Sequence, residues 1–173
     1  MVVTVNLTKM EENPIPEIIK FGGEGIVKCI QCGACASVCP LSLAGMPLYN
    51  KKLFKMLLSG YFEEIIEDPS PWACVACNRC VEICPRDVKP FQVIFAFRRI
   101  QVREFAMPMN VLGGMKNLYE KGHAVFSEAA EIRKKVGLPE MPPSTLAYPE
   151  ALKEVQTLLK NSEVAKLGVI PMS

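Results

Sequence analysis

Residues 29–40 read CIQCGACASVCP, and residues 74–85 read CVACNRCVEICP. Each run places cysteines at offsets of three, three and four and ends on a proline. The first set is Cys29, Cys32, Cys35 and Cys39; the second is Cys74, Cys77, Cys80 and Cys84. The runs are one unit used twice, forty-five positions apart. All eight cysteines of the 173-residue chain belong to them, so no thiol is left for disulfide chemistry.

Three thiolates two residues apart lie on one tight loop, which wraps three corners of a cubane. The loop cannot close around the fourth corner, so that ligand has to come from elsewhere. The spacing is that of proteins with two [4Fe–4S] clusters, in which the fourth cysteine of each run serves the other cluster. The expected ligands are therefore Cys29, Cys32, Cys35 and Cys84 for one cluster, and Cys74, Cys77, Cys80 and Cys39 for the other. Gly33 aligns with Asn78, and these are the residue types best suited to a left-handed backbone. Both are expected at positive φ where the loop rounds its cluster. Pro40 and Pro85 are expected to break any local helix. Structural zinc is the competing reading, but a tetrahedral zinc site needs only two separated CxxC pairs. Four cysteines per run exceed that need.

The rest of the composition narrows the function classes. Twenty basic and eighteen acidic residues leave a net charge of +2, without the strongly basic footprint of a nucleic-acid binder. Met1–Glu12 lacks the basic-then-apolar pattern of a secretory signal. The longest apolar stretches, such as Val93–Phe97, fall far short of the roughly 20 residues that span a bilayer. A cytoplasmic protein is expected, in a compartment where clustered thiols bind metal rather than pair as disulfides. No GxGxxG follows a strand, so no Rossmann-type flavin or nicotinamide site is indicated. His123, the single histidine, has no visible partner and reads as a loop residue rather than a ligand or base. No residue is assigned a catalytic role. The chain is equipped to move electrons, not to convert a substrate.

Hydrophobic periodicity predicts a mostly α class. Residues 2–7 are a short strand or a frayed tail. A helix entered at Asn13–Pro16 should end at Gly22-Gly23, and further helices are predicted over Leu48–Leu58 and Tyr61–Glu67. Pro90 opens a longer helix, extending to about Phe105, whose first two turns are apolar nearly all round and so should be buried. Met109–Lys121 is capped by Gly122. Ser127–Val136 has Ser127 as its N-cap and stops at Gly137. Leu138–Tyr148 is proline-rich and expected to be extended. Pro149–Lys160 is amphipathic, with Leu152, Val155, Leu158 and Leu159 on one face. The organisation read from this is an N-terminal tail (1–13), a two-cluster domain (14–106) and a helical C-terminal extension (107–173) serving as a partner-docking surface. Trp72 is expected to shield a cluster or anchor an interface. Arg86, Lys89, Arg98, Arg99 and Arg103 read as a solvated face, alternatively as cluster compensation or a docking guide. Met107, Met109 and Met115 fit either core or partner surface.

The run CIQCGACASVCP, the spacer ending in PSPWAC, the exit CPRDVKP and the segment LPEMPPSTLAYPEALKEVQTLLK together resemble the C subunit of heterodisulfide reductase. The resemblance covers roughly Glu17 to Lys160. It implies an α-helical ferredoxin fold with two [4Fe–4S] clusters and extra C-terminal helices. It implies partners as well: a flavin-containing iron–sulfur subunit, a catalytic subunit with non-cubane clusters, and a hydrogenase or formate dehydrogenase module beyond them. Electrons would pass from the flavin-containing subunit through this chain to the catalytic subunit, where the coenzyme M–coenzyme B heterodisulfide of methanogenesis is reduced. The Cys-Cys-Gly motifs of that catalytic subunit are absent here, as such a division of labour requires. A related sulfur-metabolism complex, a free ferredoxin and a zinc-stabilised adaptor are the alternative functions.

Overall fold

The structure is a computed structural model. It describes residues 13–124, 130–140, 143–162, 165–166, 168 and 170. The described residues are mostly helical and contain no strand. They divide into two units, Met1–Met107 and Pro108–Ser173.

The first unit is built around the helix that follows the second cysteine run. In chain order its helices are α1 (Ile15–Lys20), α2 (Ala34–Ser37), α3 (Pro40–Leu43), α4 (Asn50–Leu58), α5 (Arg79–Glu82) and α6 (Pro90–Arg103). Pro90 starts α6 at the position where a missing N–H costs nothing. Val93, Ile94, Ala96, Phe97 and Ile100 of α6 are buried. They meet Ile18 of α1, Ile26, and Leu53, Phe54 and Leu57 of α4 in one core. Phe62 packs edge-on to Phe97, with centroids 6.3 Å apart. Each large side chain fully buried here contributes about 1.5–3 kcal/mol. The cysteine loops hang from this core: α4 and α5 both contact α6, and α2 contacts both α4 and α5.

Two polar side chains, one buried in the core and one half-buried beside it, have roles not legible in the sequence. Gln101 is fully buried, and its Nε2 donates to the carbonyls of Ile66 and Asp68, each at 2.8 Å. This explains a departure from the sequence reading. Residues 61–67 form no helix; 63–67 are turns. Gly60 at φ +77° and Pro69 bound the stretch, and Gln101 satisfies the backbone at its end. Arg98 is the second case. Its guanidinium donates to the carbonyls of Pro71 (2.8 and 2.6 Å) and Cys74 (2.7 Å) and lies over Phe95 and Trp72. Burial lowers its pKa from the usual value, opposed by Cys74. Arg98 is thus a clamp on the entry to the second run and not part of a solvated face. Arg99 donates to the Phe21 carbonyl, and Arg103 pairs with Glu17 and Glu104, so both tie α6 to α1 or to its own end.

The second unit contains α7 (Met109–Lys121), α8 (Ala130–Lys135) and α9 (Pro149–Lys160). Gly122 caps α7 in the left-handed region at φ +66°. Helices α7 and α9 pack together, and Gln156 Nε2 donates to the Tyr119 carbonyl at 3.2 Å. On α9, Leu152, Val155 and Leu159 are half-buried, but Leu158 is 71% exposed and leaves the expected face. In the proline-rich segment, Thr145–Ala147 form a single 3-10 turn, with Ser144 Oγ accepting from the Leu146 N–H. The short strand or frayed tail read at 2–7 and the N-cap expected at Ser127 lie outside the described residues.

Candidate metal centres

Each cysteine run enters its loop from a short 3-10 turn, Glu24–Lys28 before Cys29 and Ser70–Ala73 before Cys74. Gly33 and Asn78 stand at φ +85° and +61°, as their alignment predicts, and each precedes a single-turn helix, α2 or α5. Two residues earlier, Gln31 and Ala76 are also left-handed, at +57° and +52°. Such a conformation costs a side-chain-bearing residue on the order of 1 kcal/mol, so its repetition in both loops marks a backbone bent for a purpose. Helix α2 ends at Ser37 and Cys39 is extended ahead of Pro40, as expected of the residue before a proline. Pro40 then opens α3, because its fixed φ suits a first helical position.

The loops surround two concavities of similar size, each partly open to solvent. Cys29, Cys32, Cys35 and Cys84 line the first. Cys39, Cys74, Cys77 and Cys80 line the second. Each concavity thus takes three cysteines from one run and the last cysteine of the other. Contact between α2 and α5 holds the two side by side. Among the described residues, no three His, Cys, Asp or Glu side chains are grouped tightly enough for a single ion. The four thiols instead ring a wider space.

The electrostatics of the thiols fit a bound cationic group. Burial, followed by the charges of Cys29, Cys80, Cys84 and Cys32, pushes Cys35 up to about 12. Burial, then Cys74 and Cys39, pushes Cys80 up to about 11, with its backbone hydrogen bond opposing. Cys35 and Cys80 thus resist ionising without a cation beside them. Iron supplies the positive charge that offsets four thiolates, and binding it releases their protons.

Residues that the motif does not single out complete the surroundings. Gln31 Nε2 donates to Cys29 Sγ at 3.4 Å, and the Val88 N–H reaches Cys84 Sγ at 3.5 Å. Lys51 and Arg86 line the first concavity. A Cβ built on Gly33 would lie 3.1 Å from Lys51 Nζ, so the ammonium rests on the cysteine loop. Buried Asn50 lines the second concavity while its Nδ2 donates to the Cys35 carbonyl at 3.1 Å, joining the two centres. Gln31 is visible in the sequence as a donor inside the motif; Asn50 and Lys51 carry no sequence signal. Trp72 lines neither concavity; it is half-buried beneath Arg98. His123 lies half-buried in the loop after α7, remote in sequence from both runs. Lys89 adopts φ +53° as it leads into α6.

No helix among the described residues is long and apolar enough to cross a membrane. A family model described as a 4Fe-4S dicluster domain matches residues 25–88, which contain both runs. The chain carries two [4Fe–4S] clusters. It is 53% identical to a protein of Archaeoglobus profundus that is named as resembling the C subunit of heterodisulfide reductase, over 93% of this chain and 86% of that relative. It is 38% identical to the C subunit of the H(2):CoB-CoM heterodisulfide,ferredoxin reductase of Methanothermobacter thermautotrophicus, over 80% of this chain and 76% of the relative. Identity to the iron-sulfur C subunit of the CoB–CoM heterodisulfide reductase of Methanopyrus kandleri is 36%, over 80% and 73%. With the match extending through the helical spacer and into the C-terminal helices, and not resting on the cysteines alone, this chain belongs to the family of heterodisulfide reductase C subunits.

Proposed function

We propose that this chain relays electrons between two other subunits of a cytoplasmic heterodisulfide-reductase-type complex. On this reading the donor is a flavin-containing iron–sulfur subunit. The acceptor is a subunit with non-cubane clusters that reduces the coenzyme M–coenzyme B heterodisulfide or a related sulfur substrate. Cys29, Cys32, Cys35 and Cys84 hold one cluster; Cys74, Cys77, Cys80 and Cys39 hold the other. The observation that carries the relay is the exchange of last cysteines between the two concavities. A chain that shares ligands in this way fixes two redox centres next to each other.

A bound [4Fe–4S] cluster takes up and passes on one electron at a time. The residues of the chain do the remaining work. Cys39 and Cys84 bridge the loops, so neither centre moves independently. Asn50 and Arg98 hold the Cys35 and Cys74 carbonyls and with them the loop geometry. Ile30 and Val75, equivalent positions of the two runs, are 60% and 73% exposed, and Leu43 and Ile83 are exposed near Cys77. Apolar side chains over both cluster loops suit burial against larger subunits. The C-terminal extension (107–173) adds further docking surface.

Affinity isolation of the tagged chain from its native host tests the relay. A flavoprotein and a second cysteine-rich subunit should be recovered together; recovery of neither overturns the complex. Cys39→Ser tests the ligand exchange. It should damage the cluster built on Cys74, Cys77 and Cys80, and loss confined to the Cys29 side would refute the assignment.

A further inference from the structure

The two centres share a ligand pattern but differ in what surrounds their sulfurs. On the Cys29 side, Gln31 Nε2 and the Val88 N–H point at Cys29 and Cys84 sulfurs. Ala76 occupies the position equivalent to Gln31 in the second run and has no side-chain donor to offer. Among the residues lining the concavities charge differs too, although Arg98 brings a cation to the Cys74 carbonyl at 2.7 Å. Lys51 and Arg86 line the first concavity, whereas Arg79 is the one charged residue lining the second among the described residues. Glu82 stands with Arg79 at the surface opening beside Cys77. The acidic residue in the exit from the second run, Asp87, is paired with Lys28 at 3.9 Å. Burial adds to the contrast: Cys39 and Cys80 are each 8% exposed, while no cysteine on the Cys29 side is buried to that degree. Cys35 partly offsets this last difference and Arg98 the charge, so the donors to sulfur carry the comparison, with Lys51 resting on the first loop beside them.

Adding an electron to an iron–sulfur cluster makes it more negative. Hydrogen bonds to its sulfurs, nearby cations and water all favour that reduced state and raise the potential. We propose that the cluster of Cys29, Cys32, Cys35 and Cys84 has the higher reduction potential, so that a singly reduced chain keeps its electron there, with Gln31 and Lys51 setting the difference. This rests on the ligand assignment proposed above. The transfer it describes is balanced within the chain: the cluster on the Cys74 side loses one electron and the other gains it, with no bond or proton changed. Gln31 and Lys51 are positioning residues that act through the cluster.

An anaerobic redox titration of the full-length, cluster-loaded chain, followed by electron paramagnetic resonance, tests this. Iron and sulfide are measured on every variant. Two midpoints are expected in the unmodified chain. Gln31→Ala combined with Lys51→Gln should lower only the higher midpoint, changing the reduced-to-oxidised ratio of that cluster at least tenfold at fixed potential, or about 59 mV for a one-electron couple. Ala76→Gln supplies the missing donor and should raise only the lower midpoint. The two arms act in opposite senses on different loops, so failure of one variant to fold leaves the other decisive. With full iron retained, coincident midpoints in the unmodified chain would overturn the proposal. So would unmoved midpoints in both variants, or a shift of the wrong one. Cys39→Ser separates the two failures: if it damages only the cluster on the Cys29 side, the ligand assignment fails, and the proposal with it.

Discussion

Replacing Arg98 by Met should loosen one cluster and leave the other in place. The guanidinium donates to two backbone carbonyls, Pro71 and Cys74, at 2.6–2.8 Å, and Met keeps the apolar stem but none of these donors. Charge-assisted hydrogen bonds contribute on the order of 2 kcal/mol per acceptor, or about 4 kcal/mol for the two carbonyls. Stacking on Phe95 and Trp72 adds about 1 kcal/mol. Releasing a half-buried cation from its desolvation returns about 2 kcal/mol. The net loss is about 3 kcal/mol, concentrated at the entry to the second run. At roughly 1.4 kcal/mol per factor of ten, local opening around Cys74 rises about a hundredfold. The assay is anaerobic iron release to a ferrous chelator. Half of the iron should leave the variant about a hundred times faster than from the unmodified chain, and half at the original rate. Arg98→Lys retains the charge without the planar fork and should fall between. An unchanged release rate in Arg98→Met would refute the clamp, and uniform acceleration of all the iron would refute its local action.

Three other substitutions or conditions have defined outcomes. Gln101→Leu leaves the half-buried carbonyls of Ile66 and Asp68 without this donor and should cost about 2 kcal/mol, seen as a lower unfolding midpoint in thermal or denaturant melts. Gly25→Ala drives a Cβ into the Val88 carbonyl, where backbone meets backbone and no side chain can yield. A loss of at least about 1–3 kcal/mol is expected, together with reduced iron retention, because Val88 lies four residues after Cys84. For the metal-free chain, Cys35 and Cys80 are raised from the usual 9.0 to about 12 and about 11. A raised thiol means that the folded state binds more protons than the unfolded state above pH 9. Their contribution to stability is therefore complete below pH 9 and is lost through about pH 11 for Cys80 and about pH 12 for Cys35. Circular dichroism against pH should show alkaline unfolding in that window without metal, and cluster loading should suppress it.

The positions of the cysteines can be read directly because cluster ligation depends on spacing along a tight loop, and spacing is a property of sequence. The same holds for Gly33 and Asn78, whose residue types suit positive φ, and for α6 and α7, whose apolar period and caps are local signals. The stretch 61–67 reads as a helix in sequence because what ends it differently, Gln101 on the Ile66 and Asp68 carbonyls, lies some 35 positions away. Arg98 reads as a surface charge for a similar reason: the carbonyls it binds lie 24 and 27 residues earlier.

The sequence alone determined that eight cysteines in two equivalent runs would hold two [4Fe–4S] clusters in a mostly helical chain. The tertiary structure alone decided what distinguishes the two centres. Gln31 differs from Ala76 in the alignment, but its approach to Cys29 Sγ depends on the bend of the folded loop, and the presence of Lys51 beside Gly33 follows from packing α4 against that loop. Ligand spacing is local and survives as a pattern. The field around each sulfur is the sum of groups brought together from distant parts of the chain.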